Sequence, residues 1–387
     1  MGVSELTRNA VDVLPAGELE RKLARGRPLR IKLGIDVTSP DVHVGRGIPL
    51  QRLRAFQDEG HRAVLIIGDY TTRIGDPSGR STERPLLSDD EIDENGRLYL
   101  EQAKTILLDE PELLEVRYNG EWLSRLTFAD VVRLTRILTV ARLLERDDFS
   151  DRFGAGEPIS VSELLYPLMQ GYDSVAVEAD VELGGTDQLY NLLAGREVMA
   201  AYGLEPQVVL TVPLLLSWDG QKMSSSIGNN IPLTARPEEM FGRAMRIPDS
   251  MLEEWWRLVA ERSVPEHDPM EAKLELARFI VRRSHGEEGV RRGEEHFTRV
   301  VREGLAPDET EIPRVSVDGG PVYLPELLSS QFGRSNSHWR RMIDQGGVKI
   351  DGETVRELEV PAERLNGALI QAGKRQFLKV FAPPPTS

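Results

Sequence analysis

The chain has 387 residues, 40% of them apolar and 29% charged, which is longer than a usual single domain, has ample material for a core, and excludes the disordered and fibrous classes. Its cysteine count is zero, which excludes disulfides, thiolate zinc sites and a cysteine nucleophile. A formal net charge of −15 argues against a surface coated in basic residues for non-specific nucleic-acid binding, although from Pro321 onward nine Lys/Arg stand against seven Asp/Glu, so the tail is the less acidic part.

In chain order, the opening stretch MGVSELTRNAVDVL is amphipathic with charges of both signs, unlike a signal peptide. No apolar run approaches the roughly 20 residues that a membrane span requires, and a cytoplasmic protein without membrane partners is expected. Leu29 to Val37 (LRIKLGIDV) reads as a buried strand, and Ile48 to Asp58 then sets Leu50, Leu53 and Phe56 at helical spacing. Ala63 to Ile67 (AVLII) is a second apolar run between Arg62 and Gly68-Asp69, as in an internal strand of a parallel sheet. Together they predict a βαβ unit. Gly75-Asp76-Pro77-Ser78-Gly79-Arg80-Ser81 is a loop by its turn formers. From Ser88 to Leu144 apolar residues such as Val131, Leu134, Ile137, Leu138 and Ala141 recur at three and four, predicting a mostly helical insertion. Val208 to Leu216 (VVLTVPLLL) is a further buried run, leading into a polar loop, Asp219 to Asn230. One α/β domain over residues 1–235 accounts for this pattern. Residues 236–315, with helical patterns at Met251 to Val259 and Ala272 to Arg282, predict an α-helical domain. Ile312 to Pro321 reads as a linker into a small α+β domain over 316–387, and the end, 383–385, is Pro-rich.

Two segments of this chain suit phosphate chemistry. His43-Val44-Gly45-Arg46-Gly47 precedes a helix, where unpaired backbone N–H groups and the positive end of the helix dipole receive anions if no bulky side chain intervenes. An imidazole and a guanidinium there add donors toward charge developing on phosphorus. The second is Gln221-Lys222-Met223-Ser224-Ser225-Ser226, where a flexible lysine flanked by hydroxyls can close over a polyphosphate and leave with the product. Either alone is also compatible with an ordinary turn or a solvated loop. Their pairing at the two ends of one α/β domain is far more specific.

With these two segments the chain resembles the class I aminoacyl-tRNA synthetases, whose HIGH-like and KMSKS-like signatures look like His43 to Arg46 and Lys222 to Ser226. Four further blocks are similar, in order, to the tyrosyl-tRNA synthetases of bacterial type: Leu33 to Thr38, Ile74 to Gly79, Tyr166-x-x-x-Gln170-Gly171-Tyr172-Asp173, and Gly184-Gly185-Thr186-Asp187-Gln188. The resemblance covers essentially the whole chain. It implies a Rossmann-like parallel-sheet catalytic domain, an α-helical domain on the anticodon side and a small S4-like RNA-binding domain, with ATP, Mg²⁺ held by the ATP, L-tyrosine and tRNA(Tyr) as partners, no resident metal site, and a homodimer.

By that resemblance His43, Arg46, Lys222 and Ser225 are catalytic, and Asp36, Thr38, His43, Gly45, Gly185, Asp187, Lys222 and Met223 lie against ATP. Asp173 accepts from the phenol, and phenylalanine would leave that acceptor unpaired. Asp76, Tyr166 and Gln170 receive the substrate ammonium, with Gln188 near the reacting carboxylate. In the tail, Ser335 to Gly352 looks like an S4 helix, turn and strand, so that Arg334, Arg340, Arg341 and Lys349 would contact RNA phosphates. The chain departs from the common pattern in three places: Arg46 replaces a histidine, Ser225 a lysine, and Lys32 stands where some members have a second phenol-binding tyrosine. Tryptophanyl-tRNA synthetase is the nearest alternative. A small nucleotidyltransferase and an inactive RNA-binding paralogue are the others.

Overall fold

The computed structural model describes residues 2–77, 87–225, 227–266, 268–303, 305–307, 312–373 and 376–382. The loop residues Ser78 to Ser81, Ser226 and the Pro-rich 383–385 lie outside the described residues. The chain divides into two compact units, residues 1–284 and 285–387.

In the first unit, six strands form one sheet: β1 (Asp12–Leu14), β2 (Arg30–Ile35), β3 (Arg62–Ile67), β4 (Leu114–Tyr118), β5 (Val181–Gly185) and β6 (Val208–Val212). The order is β1-β6-β5-β2-β3-β4. Neighbours from β6 to β4 are parallel, and β1 closes the edge antiparallel to β6. Strands β3 and β6 are buried along nearly their whole length, which is why they read as continuous apolar runs instead of alternating ones. After β2 the chain winds one way through β3 and β4, and later the other way through β5 and β6. The reversal lies between β2 and β5, and open α/β sheets carry their ligand crevice outside the strand ends at such a point.

Helix Val44–Asp58 links β2 to β3, with Leu50, Leu53 and Phe56 fully buried. Helix Val161–Ala176 starts at a capping box, Ser160 with Glu163. It lies close against helix Leu189–Ala201, because a Cβ on Gly171 would stand 2.8 Å from Val198 Cγ2 and 3.2 Å from Gly195 Cα. Pro213 directly follows β6 and takes no further part in the ladder, which ends the strand earlier than the apolar run.

Two expectations need correction. The segment 88–144 does contain helices, among them Asp89–Ala103 and Phe128–Thr135, but it also supplies β4, an edge strand. The stretch 312–321 is not simply a linker: it contains β7 (Arg314–Ser316), which pairs in parallel with the final strand. In both cases the strand is five residues or fewer at a sheet edge, where period-two burial leaves too few apolar positions to read.

Between β6 and β7 the described elements are helical, among them Pro237–Ala244 and the long Pro269–His296, which breaks at Gly286 (φ 63°, ψ −166°). The second unit also holds β8 (Val322–Tyr323), β9 (Val348–Ile350), β10 (Glu353–Thr354), β11 (Glu359–Val360), β12 (Leu369–Ala372) and β13 (Gln376–Phe381). Its five-stranded sheet runs β10-β9-β12-β13-β7, and β11 pairs with β8. Leu328, Trp339, Ile343, Ile370 and Leu378 share its core.

Candidate active site

The predicted residues converge at the carboxyl ends of the parallel strands. Asp36 follows β2, Asp76 follows β3, Asp187 follows β5, and Lys222 lies in the loop after β6. Gly34 on β2 is open: a Cβ there would meet nothing within 4 Å.

His43 is the N-cap of helix Val44–Asp58, and its Nδ1 accepts from the Arg46 amide at 3.2 Å. That bond leaves the ring proton on Nε2. Burial pushes the imidazole down to about 3, with Arg46 and then Lys222 adding to the effect, so the ring is a neutral donor at physiological pH. The two signature segments meet here, since a Cβ on Gly45 would stand 3.3 Å from His43 Cε1 and 3.5 Å from Met223 Sδ. Arg46 turns its guanidinium to the carbonyls of Asp41, at 3.0 Å, and Ser39, at 3.4 Å, with its Cζ 6.0 Å from the centre of the Tyr99 ring. Thr38 is half-buried in the same loop.

Lys222, its side chain 55% exposed, donates to Asp187 at 2.5 Å. A Cβ on Gly185 would stand 2.7 Å from Asp187 Oδ1 and 2.8 Å from Leu214 Cδ2, so a side chain there would displace that carboxylate. Asn229 and Asn230 hold the lysine loop: Asn229 accepts from the Ser224 amide at 2.8 Å and donates to Asp219, while Asn230 donates to Ser225 Oγ at 3.1 Å. Met223 is buried and anchors the loop.

The remaining residues form a chain of hydrogen bonds. Tyr166 donates to Asp36 at 3.1 Å, and Thr71 donates to the same carboxylate at 2.7 Å. Gly68 allows this approach, as a Cβ there would stand 2.4 Å from Thr71 Oγ1 and 2.5 Å from Asp36 Oδ1. Burial, with Asp36 and Asp76 nearby, holds the Tyr166 phenol well above its ordinary value. Asn119 donates to Thr71 at 3.0 Å and to Asp173 at 3.3 Å, and Trp122 Nε1 donates to Asp173 at 2.8 Å. Asp173 is 3% exposed. Burial pushes it up to about 7, opposed by the charge of Lys32 and by the Trp122 and Asn119 donors. Gln188 donates to Asp76 at 2.6 Å and accepts from Asn191 at 3.1 Å, while Gln170 donates to Glu182 at 3.1 Å.

Sequence reasoning missed Asn119, Trp122, Thr71 and Glu182. The first two directly follow β4, whose strand character was itself obscured. Glu182 gave one available signal, a carboxylate inside an apolar strand. Arg334, Arg340, Arg341 and Lys349 belong to the second unit and are all exposed. Helix Asn336–Asp344 presents Arg340 to the Tyr323 hydroxyl and over its ring.

Known proteins are similar to this chain along most of its length. The family described as tRNA synthetases class I (W and Y) matches residues 24–301. A tyrosine–tRNA ligase of Thermotoga maritima is 46% identical over 98% of this chain and 96% of its own length, and one of Deinococcus radiodurans is 45% identical over 97% and 95%. Among solved structures, a tyrosyl-tRNA synthetase complexed with L-tyrosine from Archaeoglobus fulgidus has the same fold, with a TM-score of 0.59 at 24% identity, covering 75% of this chain and 97% of that one. The sheet order, the facing signature loops and these relatives together establish that this chain belongs to the class I tRNA synthetases of the tryptophan and tyrosine family.

Proposed function

We infer that this chain is a tyrosine–tRNA ligase: it activates L-tyrosine with ATP to tyrosyl-adenylate and pyrophosphate, then transfers tyrosine to the terminal adenosine of tRNA(Tyr). The observation that carries the reading is Asp173, a buried carboxylate on the same helix as Tyr166 and Gln170. Both of its oxygens already receive a neutral donor, and it has lone pairs left for a phenol hydroxyl. An indole N–H also donates to a carboxylate, as Trp122 does to Asp173, so it is the relatives above, named for tyrosine, that disfavour the tryptophan alternative.

The substrate ammonium lies against Asp76, Tyr166 and Gln170. Gln188, bonded to Asp76, orients that carboxylate and stands near the reacting end. ATP packs on the helix start at His43 and Gly45, with Asp36 and Thr38 beside it, and its ribose takes Asp187 at Gly185. The tyrosine carboxylate, already ionised, attacks the α-phosphorus in line, so no protein nucleophile or general base is needed. Neutral His43 donates from Nε2 to the developing charge, and Lys222 leaves Asp187 to follow the β- and γ-phosphates together with their Mg²⁺. Met223 and Ser225 carry that loop. Arg46 contributes by fixing the loop of Ser39 and Asp41 over the nucleotide. A ribose hydroxyl of the tRNA then attacks the adenylate carbonyl and releases AMP.

The helical residues 236–315 lie on the anticodon side. Arg334, Arg340, Arg341 and Lys349 of the S4-like residues 316–387 contact RNA phosphates. The enzyme works as a cytoplasmic homodimer: Phe128 is 84% exposed and Val161 74% exposed on helices that pack together, an apolar display that a second copy would cover. Sedimentation velocity should give twice the chain mass, and a species of one chain mass at micromolar concentration would refute the dimer.

The activity is tested by amino-acid-dependent exchange of pyrophosphate into ATP with tyrosine, tryptophan and phenylalanine in parallel. Exchange with tyrosine only, reduced about 10²-fold in Lys222→Ala, is expected. Exchange with tryptophan instead, or with none of the three, would overturn the reading.

A further inference from the structure

Below the amino-acid pocket lies an ion pair that the mechanism above does not use. Lys32 and Glu182 face each other on the adjacent parallel strands β2 and β5. Their side chains are 0% and 1% exposed. The ammonium has three protons and three acceptors: Glu182 Oε1 at 2.8 Å, the Gln170 carbonyl at 2.8 Å and Ser174 Oγ at 2.7 Å. Glu182 also accepts from Gln170 Nε2 at 3.1 Å, Ser174 Oγ at 3.3 Å and the Gln207 amide. Two apolar side chains would join the strands at least as well as a desolvated pair, so cohesion of the sheet does not account for it. Its bonds reach helix Val161–Ala176 at Gln170 and Ser174, one turn apart, with Asp173 between them.

We propose that the Lys32–Glu182 pair is a positioning device for the amino-acid site, acting through two neighbours. Glu182 engages the amide nitrogen of Gln170, which aims its oxygen at the substrate ammonium. Lys32 clamps the turn that carries Asp173 and supplies the fixed positive charge that keeps this group a carboxylate toward the phenol. The proposal rests on the tyrosine reading given above. The charged and titratable groups around Asp173 are Lys32 from β2, Glu182 from β5, Tyr166 on its own helix and Asp36 beyond Tyr166; Trp122 and Asn119 face it as neutral donors. Of these groups Lys32 is the cation, and its charge opposes the burial that raises Asp173 to about 7.

The test measures tyrosine-dependent exchange from pH 5.5 to 9, with tyrosine binding followed by calorimetry, in Lys32→Met, Glu182→Gln and the double variant. The double variant removes both charges together, which guards against misfolding caused by one orphaned charge. In Lys32→Met, kcat/KM for tyrosine should fall about tenfold at pH 7 and its acid limb move up by about one pH unit, while the KM for ATP stays within about twofold of wild type. In Glu182→Gln the limb should not move up, yet the KM for tyrosine should rise as the Gln170 amide is released. The double variant should also raise the KM for tyrosine and leave that for ATP in place. Folded variants with the wild-type tyrosine KM and an unmoved limb would overturn the proposal. Failure of the wild-type chain to bind tyrosine would instead remove the substrate reading first, and this inference with it.

Discussion

At the scale of single residues, two buried titratable groups carry opposite pH signatures. Asp173 has a folded value pushed up to about 7. Its contribution to stability is therefore fully present below the ordinary carboxylate range and is lost as pH rises through about 7. Tyrosine capture runs the other way and strengthens over the same interval, as the carboxylate forms. His43 has a folded value depressed to about 3, so its contribution is present above about 6.5 and is lost as pH falls toward 3. An acid limb near pH 7 therefore belongs to Asp173. Asp173→Asn should flatten that limb and raise the KM for tyrosine by about 10- to 100-fold, the worth of a hydrogen bond to a charged group. A limb that persists unchanged in the variant would reassign it. Asp36, His43 and Lys222 were legible because chemistry restricts their type and because charged groups stood beside apolar runs. Asn119 and Trp122 were not, since neutral donors gain meaning only from the acceptor they reach.

Among the elements, helix Val161–Ala176 carries the greatest share of the proposed amino-acid site, and it is placed by glycine contact with its neighbour. Gly171→Ala puts a methyl 2.8 Å from Val198 Cγ2 and 3.2 Å from Gly195 Cα. The helix must then shift outward, and Tyr166, Gln170 and Asp173 must move with it. A loss of about 1–3 kcal/mol in urea unfolding is expected, with a raised KM for tyrosine. Val198→Ala in the same chain should recover part of both, a coupling that independent sites would not show. The element pattern explains which parts of the fold were readable. Strands β3 and β6 are buried on both faces and appear as nearly unbroken apolar runs. Strands β4 and β7 are short and lie at sheet edges, so half of their few residues face outward.

At the scale of the whole molecule, the residues proposed for activation and those proposed for RNA contact belong to different compact units. The groups around Asp36 and Lys222 belong to residues 1–284, and Arg340 and Arg341 to residues 285–387. Arg340→Ala with Arg341→Ala should therefore leave tyrosine-dependent exchange at the wild-type rate and weaken tRNA binding. The slope of log affinity against log salt should become shallower by about 0.7–0.9 for each phosphate contact removed. An unchanged slope, measured by filter binding, would take those arginines out of the interface. The open position at Gly34 has a different consequence. A glycine at negative φ in a central strand, with nothing within reach of a missing Cβ, carries a conformational-entropy penalty that alanine would relieve by about 0.5–1 kcal/mol. A programme of thermostabilisation guided by unfolding temperature alone would select that methyl group, and would harden the scaffold by filling an open position two residues before Asp36, at the proposed substrate site.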